Sequence, residues 1–92
     1  MNILEKTLDY LDNEHKDFRA FISRQASAPS IPSREDERKL IESTRKATLD
    51  RGMRVVMFVQ SIGVNYDDIK EPYDVLKQEV NQLTKEVKES IR

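Results

Sequence analysis

The chain has 92 residues, 36% of them charged and 37% apolar, with two glycines, three prolines and no cysteine. A single domain of this size buries only on the order of 60–65% of its surface, so a deep catalytic cleft would compete with the core for apolar residues. The missing thiols exclude disulfides, thiolate nucleophiles and zinc–thiolate sites. Charges are evenly spread: 4 basic and 5 acidic side chains over residues 1–25, 6 and 5 over 26–52, and 6 and 7 over 53–92, for a net charge of −1. Neither a nucleic-acid footprint nor an acidic mimic of one is expected from that balance.

The first helix is expected over about 3–25. Asn2 and Glu5 occupy the N-cap and N3 positions of a capping box. Leu4, Leu8, Leu11, His15, Phe18 and Ile22 then recur at alternating intervals of four and three, a heptad seam. No apolar stretch like that of a signal peptide follows the N-terminus, and a cytoplasmic location is expected. His15 stands where leucine would be the default. It reads either as a boundary histidine satisfied by a neighbour or as a pH-sensitive contact that fixes helix register.

Residues 26–33 carry Pro29 and Pro32 and read as a loop. Ile31 between them is either part of a plain connector or a pre-stiffened docking tip. Ser33 is a second N-cap, followed by Glu35, Asp36 and Glu37 where the helix dipole favours negative charge. A helix over about 34–62 carries an apolar stripe of Ile41, Thr44, Thr48, Val55, Val59 and Ile62, widened by Leu40, Ala47, Leu49, Met53 and Val56. Its second half is apolar nearly all round, which calls for cover from two or more sides. The run Val55 to Val59 also has the composition of a strand, but a lone strand would need to pair with a second copy of itself. At five residues it is far below the roughly 20 needed to span a bilayer, so no membrane contact is expected.

Gly63 suits a helix C-cap, and Asn65 can cap the next helical turn. Pro72 argues for a turn over about 63–71 and a last helix over about 72–91, with Tyr73, Leu76, Val80, Leu83, Val87 and Ile91 as its seam. One all-α domain results, with three amphipathic helices and heptad-like seams, arranged as a helical bundle or an intertwined helical oligomer.

Chemistry is sparse. There is no glycine-rich phosphate loop, HExxH or nucleophile elbow, His15 has no nucleophile beside it, and no catalytic, cofactor or metal site is expected. Asp67, Asp68, Glu71 and Asp74 lack the spacing of a calcium loop and read as acids near a helix start. Arg38, Ser43, Thr44, Arg45, Lys46, Thr48, Arg51 and Arg54 form the one concentration of cations and hydroxyls. They read as a salt-bridged face or as an anion site, with Glu42 and Asp50 available as intrahelical partners. The apolar residues expected at an interface are Met53, Val56, Phe58, Val59, Tyr73, Leu76, Val80, Leu83 and Val87.

The function expected from these features is that of a small, non-enzymatic helical interaction module. It would act as an adaptor, inhibitor or regulatory protein, of the kind common among phage and bacterial regulators, and would bind its own copy and another protein. The alternative is an oligomer that sequesters an anionic small ligand, such as a signalling nucleotide, between helices.

Overall fold

The computed structural model describes residues 2–27 and 33–90. Three helices, α1 (Ile3–Ser27), α2 (Arg34–Ser61) and α3 (Tyr66–Ser90), run up, down and up in a rod of 46 × 19 × 17 Å. Among the described residues there is no strand, and residues 53–59 lie within α2. Ile31 and Ile91 fall outside the described residues.

The helix ends obey local chemistry. Asn2 Oδ1 accepts from the Glu5 amide at 2.8 Å, and Ser33 Oγ accepts from the Asp36 amide at 3.1 Å, each satisfying a donor that the helix itself leaves unpaired. At the end of α2 the Val64 amide donates to Val59 O (2.9 Å) and the Gly63 amide to Gln60 O (3.1 Å). Those two bonds make a Schellman motif. Its left-handed position is Gly63 at φ 107°, where a side chain would strain the backbone. Asn65 Oδ1 then accepts from the Asp67 amide at 2.9 Å and opens α3.

Pro72 does not break the chain: α3 starts at Tyr66 and continues through it, so the expected turn over 63–71 shrinks to a few residues. Proline inside a helix costs about 3 kcal/mol. The turn before it carries Ile69, which is fully buried and contributes roughly 2–3 kcal/mol if folded onto the core. Together with the Asn65 cap, that burial outweighs the local preference for a break.

Leu11, Phe18 and Ile22 of α1, Ile41, Val56 and Val59 of α2, and Ile69, Tyr73, Leu76, Val80 and Val87 of α3 form one core. Six of the residues expected at an interface, Val56, Val59, Tyr73, Leu76, Val80 and Val87, are thus covered by the chain's own helices, and Leu83 is half-buried beside them. The buried threonines Thr7, Thr48 and Thr84 donate to the carbonyls of Ile3, Thr44 and Val80, four residues back, at 2.7–2.9 Å, so their hydroxyls are satisfied without leaving the core. Gly52 is also buried. A Cβ there would lie 3.1 Å from Tyr73 Cε1 and 3.3 Å from Leu76 Cδ2, so α2 and α3 meet closely at this level.

Candidate functional site

At 100° per residue, the eight cationic and hydroxyl positions of α2 point all round the helix. The structure accordingly sends them to three different places. Arg51 reaches α1, where Nε and Nη2 donate to Glu14 Oε1 and Oε2 at 3.0 and 2.9 Å. The Glu14 carboxylate is nearly buried, and this two-pronged pair is its compensation. It holds the Arg51 guanidinium above its ordinary pKa, against the opposing effect of burial. Tyr10 lies alongside, its phenol pushed above its usual range first by burial and then by the Glu14 charge.

Arg45 faces α3. Its Nε donates to Glu42 Oε1 and Oε2 at 2.8 and 3.0 Å, and Nη1 donates to Asn81 Oδ1 at 3.1 Å. Lys88 Nζ sits 3.1 Å from the same Glu42 carboxylate. Glu42 is held below the usual carboxylate range by its bond from Arg45, with Lys88 adding to it and partial burial opposing. Arg38 donates to Lys88 O at 3.5 Å. Arg38, Glu42, Arg45, Asn81, Lys85, Lys88 and Glu89 line an open groove between the first half of α2 and the second half of α3.

The remaining positions do not join either cluster. Ser43 donates to Leu40 O at 3.1 Å, Thr48 is buried with its hydroxyl on Thr44 O, and Thr44 is half-buried. Lys46 and Arg54 point to solvent with Asp50, and none of the three makes an ion pair within the chain among the described residues. The expected intrahelical pairs of Glu42 with Arg38 or Lys46, and of Asp50 with Arg54, are therefore replaced by Glu42 with Arg45 and Lys88, and by an exposed Asp50.

His15 is half-buried. Its Nε2 accepts from Arg19 Nη2 at 3.2 Å and lies 3.7 Å from Glu79 Oε2 across the α1–α3 seam. Asp67, Asp68 and Glu71 border a shallow groove floored by Leu8, Leu11, Pro72 and Leu76. Among the described residues no three His, Asp or Glu side chains converge on one point that an ion could fill. No described helix is long and apolar enough to cross a membrane.

A further feature is apolar. Met53 is 41% exposed, Met57 and Phe58 are each 62% exposed, and Ile62 is 49% exposed. They form two pairs at four-residue spacing, Met53 with Met57 and Phe58 with the C-cap residue Ile62, on the two flanks of the outward half of α2, away from the line of Gly52, Val56 and Val59 that enters the core. Of the interface residues read from the sequence, Met53 and Phe58 remain open. Met57 and Ile62 join them, a pair that the four-residue spacing from Met53 and from Phe58 already singles out. The Asn2 end of α1 and the Tyr66 end of α3 lie at the same end of the rod, where Ile3 and Tyr66 are also exposed. No protein-family model, curated protein or solved structure matches this chain.

Proposed function

We propose that this protein is a non-enzymatic helical interaction module that acts by docking a partner protein on the outward face of the second half of α2. The observation that carries this reading is the exposed set Met53, Met57, Phe58 and Ile62. The pairs Met53–Met57 and Phe58–Ile62 lie on the two flanks of the outward half of the helix; large exposed apolar side chains clustered in this way are characteristic of binding surfaces, and methionine adapts its shape to what covers it. The bundle supports such a role because its core is complete without these residues: α2 commits Val56 and Val59 to the interior and keeps the others for a partner. An adaptor, inhibitor or small regulatory subunit needs no more than such a face on a rigid rod.

The test is a photo-cross-linking phenylalanine analogue in place of Phe58, with the same analogue at the exposed Gln78 as control. A protein partner joined from position 58 and not from 78, whose affinity in purified form drops with Met57→Lys, is the expected result. Equal cross-linking from both positions refutes the reading.

The α2–α3 groove favours a second reading, an anion held between helices, because it gathers Arg38, Arg45, Lys85 and Lys88 against Glu42 and Glu89. Phosphate-rich compounds would then raise the melting temperature in the native chain and not in Arg45→Ala. An interaction module of the first kind responds to neither.

A further inference from the structure

The outward line of α2 is self-complementary in one orientation. Lys46, Ala47, Asp50, Arg54, Met57 and Phe58 are all exposed, and the two opposite charges Asp50 and Arg54 lack ion-pair partners in their own chain among the described residues. When two such helices lie antiparallel about a two-fold axis at the level of Gly52, residues at similar distances before and after it come to the same height, and those on the same flank of the outward line face one another. Asp50 then meets Arg54 at the centre, while on the two flanks Ala47 meets Phe58 and Lys46 meets Met57, each contact occurring twice. The match is chemical at each position. A carboxylate faces a guanidinium, a methyl group leaves room for an aromatic ring, and the apolar stem of a lysine lies along a thioether. A parallel pair would instead bring Asp50 against Asp50 and Arg54 against Arg54, which like-charge repulsion disfavours.

We propose that the occupant of this face is a second copy of the chain, paired antiparallel through α2, with Asp50 of each protomer on the partner's Arg54. The proposal rests on the interaction-module reading and names its partner. The matched strip, from Lys46 to Phe58, is about 20 Å long. It is smaller than a standard protein interface, so pairing is reversible and concentration-dependent.

Sedimentation velocity on the full chain, from micromolar to near-millimolar concentration, tests it on the wild type, Asp50→Arg, Arg54→Asp and the double exchange. The wild type is expected to pass from monomer to dimer. Either single reversal sets two cations or two anions face to face at both contacts and weakens pairing about ten-fold, and the double exchange restores it. Both side chains are exposed, and circular dichroism reports whether each variant keeps its helices. Met57→Lys, which leaves both charges in place, weakens pairing independently of them. A wild type that stays monomeric throughout overturns the proposal, and so does a double exchange no tighter than the singles. A monomer that still cross-links another protein from position 58 sinks self-pairing alone, whereas a monomer that cross-links nothing there sinks the interaction-module reading with it.

Discussion

Arg51 is expected to hold the fold together through Glu14. Replacing it with alanine leaves the Glu14 carboxylate, 11% exposed in its side chain, with neither of its two guanidinium bonds. Removing one partner of a fully buried pair costs about 3–5 kcal/mol, because the remaining charge is desolvated without compensation. Arg51 itself is 47% exposed, and water can reach the vacated side, so about 2–3 kcal/mol is the appropriate figure here. For a domain of this size that is a fall in melting temperature of roughly 10–20 °C. The partner of the cycle is Glu14→Leu with Arg51→Met, which replaces both charges with apolar groups and is expected to come within about 1 kcal/mol of the wild type. Urea unfolding followed by circular dichroism on the wild type, Glu14→Leu, Arg51→Met and the double gives the coupling energy directly, with Arg51→Ala measured beside them. If Arg51→Ala costs no more than Lys46→Ala, a cation with no ion pair among the described residues, the Glu14 pair does not contribute and the reasoning fails.

Val80→Ala, at a fully buried site, is expected to cost roughly 2–3 kcal/mol, and Leu83→Ala, half-buried, less than half as much. Equal losses in denaturant unfolding would mean that α3 presents a different face to the core. Pro72→Ala restores a backbone donor toward Asp68 O and removes the ring from the helix interior. Less the entropy that proline takes from the unfolded chain, it is expected to stabilise by about 1–2 kcal/mol, and a drop in melting temperature would count against a continuous α3. Glu42 has a folded pKa below its unfolded value of 4.5, so its ion pairs add stability above that pH and lose it as pH falls through the lowered value. The gap in melting temperature between wild type and Glu42→Gln should therefore be open at neutral pH and close in acid; a gap that persists at low pH would assign it to something other than this charge.

Helix boundaries were readable because their signals are local: Asn2, Ser33, Gly63 and Asn65 each act on backbone groups within a few residues. Features that depend on distant residues were not. The apolar seam of α1 read through Leu8 and His15, whereas the structure buries Thr7 and Glu14 and leaves Leu8 and His15 half-covered. A glutamate at a core position looks wrong until its arginine arrives from another helix, and no periodicity within α1 announces Arg51. Likewise in α3, Thr84 takes the inward place and Leu83 the boundary, because a threonine that bonds its own helix is as easily buried as an apolar residue. Pro72 misled for the opposite reason, a strong local rule overridden by the burial of Ile69. The cationic stretch of α2 is contiguous in sequence and scattered in space, so its composition suggested one site where the geometry makes a groove toward α3, a pair toward α1 and an exposed outer line.

The close approach at Gly52 also equips the chain with its own probe. There is no tryptophan, and of three tyrosines only Tyr73 is buried, its ring against the glycine and its hydroxyl 3.4 Å from Leu49 O. Burial and the nearby charges of Asp50 and Asp74 push its phenol above 10, so it ionises only after a fully solvated tyrosine would. With no indole to obscure them, a change in tyrosine absorbance or emission that is lost in Tyr73→Phe reads the spacing of α2 and α3 at Gly52 without a label being attached.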